Sequence, residues 1–308
     1  MKVLRRFGLI ILLLGCFFWR LPASAASGPT APTGAEPPAR RIISLYPAHT
    51  ENLFALGLEA EIIGVAQSDT WPPAALEKTR FHYRDDPERI IAARPDLVLI
   101  RPMIARSYPH LIEKLERVGI RVISLQPRTV AEIFDYWREL GRLTGREAAA
   151  ETMITEFDQG LAAIAGRLAA VAPEQRKRVY FEAIHDRMKT FAPASIAAFV
   201  LEQAGGINVA ADAPAVRETN IAEYGKERIL SRAAEIDVFL AQQGRMNPVS
   251  RETIINEPGF SAIKAVRQGA VHLVDEELVS RPTPRLLAGI RQIAALLYPE
   301  IFPLGEQP

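Results

Sequence analysis

From Arg41 onward, short apolar runs alternate with amphipathic stretches, and this alternation restricts the fold of the 308-residue chain more than any other feature. The apolar runs, at 42–45, 62–66, 97–100, 122–125, 179–183, 238–240 and 271–274, read as buried strands. Between them a 3.6-residue period predicts helices over 49–56, 87–93, 106–118, 195–203, 227–233 and 284–297. Strand–helix alternation of this kind predicts α/β layers with mainly parallel sheets.

The alternation stops once. Residues 129–171 hold no strand signal, while Met153, Phe157, Leu161, Ile164 and Leu168 recur on one helix face. Thr144 and Gly145 interrupt an earlier helical stretch, so one short and one long helix are expected. The architecture predicted is two Rossmann-like lobes joined by a single long helix, with a ligand cleft between them. An internal echo agrees. PERIIAARPDLVLI, from Pro87, and KERILSRAAEIDVFLA, from Lys226, share Glu-Arg-Ile, a gap, then Asp and an apolar strand. It pairs Glu88 with Glu227, each in the first turn of a helix, where an acid also complements the helix dipole by roughly 0.3–1 kcal/mol. Dipole complementarity explains each glutamate singly, but not why both halves carry the same unit.

Upstream of the alternation, residues 1–25 have a basic start (Lys2, Arg5, Arg6), an apolar run from Gly8 to Trp19 and an Ala23-Ser24-Ala25 cleavage pattern. That is the layout of a secretory signal peptide, and the apolar run is shorter than the roughly 20 residues a spanning helix needs. Removing it leaves 33 basic against 36 acidic residues, a net charge of −3 that argues against a nucleic-acid partner. Cys16, the only cysteine, sits in Leu13-Leu14-Gly15-Cys16, which resembles a lipobox; the bulky Phe17-Phe18-Trp19 after it favours a soluble periplasmic product over a lipoprotein. No disulfide is available. Residues 26–39, rich in Pro, Gly, Ala and Ser, read as a disordered spacer. The expected organisation is therefore a signal peptide at 1–25, a spacer at 26–39, an N-terminal lobe at 40–128, a bridging helical segment at 129–175 and a C-terminal lobe at 176–308.

The sequence has no Walker loop, GxGxxG, HExxH or GxSxG motif. In open parallel sheets, ligands bind beyond the carboxyl ends of the strands. The residues found there are Tyr46 and His49; Gln67, Asp69 and Trp71; His82 and Tyr83; Arg101, Met103 and Arg106; His185, Arg187 and Met188; Gln242, Gln243, Arg245 and Met246; and Arg281. Single histidines are ordinarily surface or satisfied core residues, as His110 and His272 read here. His49, His82 and His185 share a placement at strand exits. Imidazole suits iron, cobalt and zinc, tyrosinate suits ferric haem iron, and arginines meet carboxylates or phosphates.

On these segments the chain resembles the substrate-binding proteins of ABC importers for cobalamin, iron–siderophore complexes and haem, whose two lobes one long helix bridges. RIISLYPAHTENLFALGLEAEIIGV, PERIIAARPDLVLI, LEKLERVGIRVISL, EQAGGINVA, KERIL, AIKAVRQGAVHLVD and SRPTPRLLAGIRQIAALLYPEIF carry the likeness. The resemblance implies docking of Glu88 and Glu227 on a permease dimer, by a monomer with no intrinsic cofactor. It implies a cobalt or iron chelate as ligand, held by residues among Tyr46, His49, Trp71, His82, Tyr83, Arg101, His185, Met188, Arg245 and Arg281. SDTWPPAALEK and YPAHTE resemble cobalamin binders, whereas RFHYRDD carries His82 or Tyr83 where those have a tryptophan. An axial metal contact from Tyr46 or His49 is open, but no bare-ion site is expected. The reading from another class is an exported cleft enzyme, hydrolase-like, with His185 or His49 as general base.

Overall fold

The strandless middle of the sequence separates two sheets. The structure, a computed structural model, describes residues 37–127, 129–216 and 219–303. The predicted signal segment with Cys16, and the spacer up to residue 36, lie outside the described residues. Ala39, assigned to the spacer, belongs to the packed structure: it is fully buried and its amide donates to Leu143 O at 2.9 Å.

The first sheet holds β1 (Ile42–Ser44), β2 (Ile62–Ala66), β3 (Thr79–Phe81), β4 (Leu97–Ile100) and β5 (Arg121–Ser124), in the order β3-β2-β1-β4-β5. All of its pairings are parallel. Helices α1 (Pro47–Ala55), α2 (Pro87–Ala92), α3 (Pro102–Ser107) and α4 (Pro109–Arg117) connect them. β3 was not foreseen; it runs beside Gly64, where an added Cβ would lie 2.4 Å from the Phe81 ring, so the glycine lets that ring cross β2. The helix predicted over 106–118 is two helices. Pro109 cannot continue α3 and instead starts α4 from its first position, after Tyr108 leaves helical geometry.

Next come α5 (Ala131–Thr144) and α6 (Glu147–Leu168), the expected short and long helices. Gly145, at φ 67°, closes α5 in the left-handed conformation that glycine adopts without steric cost. The 22-residue α6 is roughly 33 Å long at 1.5 Å per residue. Met153, Phe157, Ile164 and Leu168 on its predicted face are buried. Trp137 of α5 is fully buried edge-to-face on Phe157, with ring centroids 5.3 Å apart, and its Nε1 donates to Pro282 O at 3.1 Å. The helical pair thereby fixes a loop near the C-terminus.

The second sheet comprises β6 (Arg178–Ile184), β7 (Lys189–Phe191), β8 (Ile207–Asn208), β9 (Ile221–Glu223), β10 (Val238–Gln243) and β11 (Val271–Asp275). Its order is β11-β10-β6-β7-β9, with β8 beside β6. β10 pairs in parallel with β6 and β11, but β7 is antiparallel to β6 and β9, so this sheet is mixed. The turn His185–Arg187 folds β7 straight back on β6 and leaves no room for a crossover helix. Around the sheet lie α7 (Ile196–Gln203), α8 (Lys226–Ser231), α9 (Arg251–Ile255), α10 (Lys264–Arg267), α11 (Glu276–Ser280) and α12 (Leu286–Leu297). Both copies of the sequence echo form the same unit, α2 leading to β4 and α8 leading to β10. Among the described residues, no helix is long and apolar enough to cross a membrane.

Candidate functional site

Every strand of the first sheet ends at one cavity. Leu45, Tyr46 and Pro47 follow β1; Gln67, Ser68 and Thr70 follow β2; His82 and Tyr83 follow β3; Arg101 follows β4; Gln126 follows β5. The second sheet supplies the facing wall with Phe191, Ile221, Arg245, Met246, Glu276, Ser280 and Arg281 among others. The cavity has a volume of about 1000 Å³ and is open to solvent. That is the upper end of small-molecule pockets. Because β1 pairs with β2 on one side and β4 on the other, Tyr46 and Arg101 stand at the switch point of strand order, where the backbone leaves a crevice.

Six predicted ligand residues meet here: Tyr46, His82, Tyr83, Arg101, Arg245 and Arg281. The Arg101 guanidinium lies over the Tyr46 ring, 5.3 Å from its centroid. Burial pushes the Tyr46 phenol up, while Arg101 and Arg281 pull it back. His82 stacks on Tyr83 at 4.1 Å, and Tyr83 on Tyr108 at 4.9 Å, giving an aromatic rim. The Arg84 amide donates to His82 Nδ1 at 3.1 Å, which places the proton of the neutral ring on Nε2. Three arginines against Glu276 make the lining cationic.

The other four predicted ligand residues do not line the cavity. His49 is fully buried, three residues into α1, so it points back under the sheet. Its Nε2 donates to Ile100 O at 3.0 Å and its Nδ1 accepts from the Tyr136 hydroxyl at 2.6 Å. Both nitrogens are occupied, and burial pushes the imidazole down to about 4. The axial contact left open for His49, and its role as base in the enzyme alternative, are thus corrected: it is a neutral core histidine. His185 is buried beneath β6, with Nδ1 2.8 Å from Glu182 Oε1. Met188 packs on the core behind the sheet, in the left-handed turn into β7. Trp71 is 44% exposed and lies under the Arg285 guanidinium, 4.8 Å from its ring centroid, at a separate small recess.

A polar clasp beside the cavity was missed in the sequence. Glu51 of α1, its side chain 2% exposed, accepts from Arg281 Nη1 at 2.6 Å and from Thr283 Oγ1 at 3.2 Å. Arg281 Nη2 donates to Glu277 Oε1 at 2.7 Å, Thr70 Oγ1 donates to the same oxygen at 2.6 Å, and Arg285 Nη1 lies 3.3 Å from Glu51. Arg281 is therefore a cavity wall already saturated by two carboxylates. Arg101 and Arg245 remain as the lining cations for a ligand. Glu51 and Arg281 are 230 residues apart, and no local sequence signal joins them.

Glu88 and Glu227 are both exposed on the first turns of α2 and α8. Glu88 pairs with Lys114 of α4 at 2.9 Å. Among the described residues, no three His, Cys, Asp or Glu side chains converge as a metal site.

A family model described as "Periplasmic binding protein" matches residues 42–278. An uncharacterized ABC transporter substrate-binding lipoprotein of Bacillus subtilis, YvrC, is 26% identical over 266 residues, 85% of this chain and 81% of that protein. The vitamin B12-binding protein of Vibrio cholerae is 26% identical over 291 residues, covering 94% and 98%. Among solved structures, a "possible … iron-binding (periplasmic solute-binding) protein" of Staphylococcus epidermidis superposes with a TM-score of 0.73 at 26% identity, over 84% of this chain and 99% of that one.

Proposed function

The chain belongs to the periplasmic binding protein family, and from that premise we propose that it captures a metal chelate outside the cytoplasm and hands it to an ABC permease. The observation that carries the reading is the large crevice at the carboxyl ends of the first sheet, with aromatic rings on its walls and, among the described residues, two arginines there that no carboxylate pairs. A volume of about 1000 Å³ suits a macrocycle or a wrapped siderophore rather than a bare ion. The relatives named for vitamin B12 and iron point to the same ligand class, a corrinoid or an iron chelate such as a siderophore complex or haem.

The chain's own residues divide the work. Tyr46 and the His82–Tyr83 pair give flat apolar surface for a ring system. Arg101 and Arg245 offer charge-assisted hydrogen bonds to carboxylate, phosphate or amide oxygens at the ligand's edge. Tyr46 is the one member of the predicted axial pair that reaches the cavity. The clasp around Glu51 and α6 limit how far the walls separate. Glu88 and Glu227, exposed on equivalent helices, are the docking contacts for two similar permease subunits, met by a monomer. On this reading the ligand is bound and released unchanged, and both histidines considered as a general base are bonded away from the cavity.

Difference-absorbance titration with cyanocobalamin, haemin and a ferric hydroxamate tests the reading. One of them saturates the protein one to one. Hydrolytic turnover in the cleft, with none of the three bound, would refute it.

A further inference from the structure

His185 was expected at the ligand, and the structure gives it a different set of partners. Its side chain is 5% exposed and lies between two carboxylates from different elements. Nδ1 is 2.8 Å from Glu182 Oε1 on β6, and Nε2 is 3.7 Å from Glu257 Oε2 in the segment after α9. Nε2 has no hydrogen-bond partner in this arrangement. The second oxygen of Glu257 accepts from Lys226 Nζ, and Lys226 is the first residue of α8, next to Glu227. Phe260, fully buried, floors the cluster, with the His185 ring edge-on at 6.3 Å and Lys226 Nζ 6.0 Å from its centroid.

On the other side, the cluster reaches the cavity wall. The His185 amide donates to Asn247 Oδ1 at 2.9 Å, Asn247 Nδ2 donates to Gln242 O at 2.8 Å, and Ser280 Oγ, which lines the cavity, donates to Gln242 Oε1 at 3.0 Å. The ionisable groups facing His185 are Glu182, with Tyr180 behind it on β6, Asp186 of its own turn, Glu257 and, through Glu257, Lys226; Asn247 and Phe260 contribute no charge.

We propose that His185 is a positioning residue for the α8 corner: protonated, it clamps Glu257 against Glu182 and so fixes the carboxylate that anchors Lys226, and on losing its proton it releases that anchor. Burial pushes the Glu182 carboxyl up, and the hydrogen bond and charge of His185 pull it back, so at 0% exposure the carboxylate and the imidazolium hold each other in place. A neutral imidazole keeps one N–H, which serves Glu182 alone and leaves Glu257 facing a lone pair. The Glu182 hydrogen bond, with the charges of Glu182, Glu257 and Asp186, raises the His185 proton affinity against the pull of burial. For a raised imidazole the clamp is complete below the unfolded value of about 6.5 and is lost as pH rises through the folded value. That this corner is a docking surface rests on the function proposed above; the clamp itself does not.

The test reads the helix directly. Hydrogen exchange of peptides covering residues 222–233, expressed as protection relative to intrinsic exchange, is compared at pH 6 and pH 8.5 for the full chain and for His185→Gln. The wild type loses about fivefold protection at the higher pH, the equivalent of one modest charge-assisted contact, while His185→Gln is flat between the two. Glu257→Gln, changed at a side chain 21% exposed, shows the low protection at both pH values if His185→Gln fails to fold. The His185 ring nitrogens titrate by NMR with a midpoint above 6.5. Identical pH profiles for wild type and His185→Gln, or a midpoint at or below 6.5, would overturn the proposal. Failure of the docking reading alone would leave this pH profile intact while charge reversal at Glu227 spared uptake.

Discussion

Replacing Arg281 by Met probes the clasp that links the first sheet's helix α1 to the loop before α12. Methionine keeps most of the stem's packing and removes only the guanidinium. The loss leaves Glu51, buried to 2% exposure, without its 2.6 Å partner, and Glu277 with Thr70 at 2.6 Å and Arg285 Nη1 at 3.8 Å. Breaking a buried ion pair from one side costs about 3–5 kcal/mol. Arg285, 3.3 Å from Glu51, and Thr283 stay in place, so the lower end, about 3 kcal/mol, applies here. For a chain of this size that is a fall in Tm of about 5 °C. Differential scanning calorimetry of the ligand-free protein reads it. The loss persists in 0.5 M salt, because a buried pair is poorly screened. Glu51→Gln in the same background recovers part of the loss, since the two changes remove one interaction. A shift below about 2 °C, or strictly additive losses in the double variant, would mean that the clasp does not hold these elements together.

Charge reversal at Glu88 and Glu227 together abolishes uptake into permease-containing vesicles and leaves ligand affinity within about twofold; a large loss of affinity contradicts docking. Reversal of Glu88 alone also frees Lys114, so Lys114→Met separates loss of the 2.9 Å pair from loss of docking, and uptake by that variant stays intact. Burial pushes the Asp69 carboxyl up to about 7, against hydrogen bonds from Thr50 and the Ala66 amide. The folded protein therefore keeps a proton that the unfolded chain releases near pH 4, and stability falls as pH rises from about 4 to about 7. Asp69→Asn flattens that slope and raises Tm at pH 8 relative to wild type; an unchanged slope in thermal melts contradicts the assignment. His49 stays neutral down to about pH 4, so its ring shifts are constant from pH 8 to pH 5 by NMR, and a midpoint above 6 contradicts its burial.

Strand exits were legible because apolar runs end where buried backbone ends, and that rule brought Tyr46, Arg101, Arg245 and Arg281 to one cavity, while His82 and Tyr83 reach it from β3, a strand that no apolar run marks. It misplaced His49 because three residues of helix turn a side chain from the crevice to the core, a rotation that a count from the strand end does not capture. His185 failed for a related reason: the turn after β6 leads into an antiparallel strand, so its side chains do not follow the parallel-sheet rule. β3, β7 and β9 are three residues each and, unlike the equally short β1, lie in no apolar run: they read TRF, KTF and IAE. The break at Pro109 was visible in the sequence, since proline starts a helix far more readily than it continues one. The Glu51 clasp was not, because its partners come from the opposite end of the chain.

If the crevice holds the chelate, Arg101 and Arg245 grip it. Isothermal titration of wild type and of Arg101→Gln/Arg245→Gln, with whichever of cyanocobalamin, haemin or the ferric hydroxamate binds, measures this directly. Loss of two charge-assisted hydrogen bonds weakens binding by at least about tenfold with the one-to-one stoichiometry and Tm kept. Equal affinity in both proteins would place the ligand elsewhere.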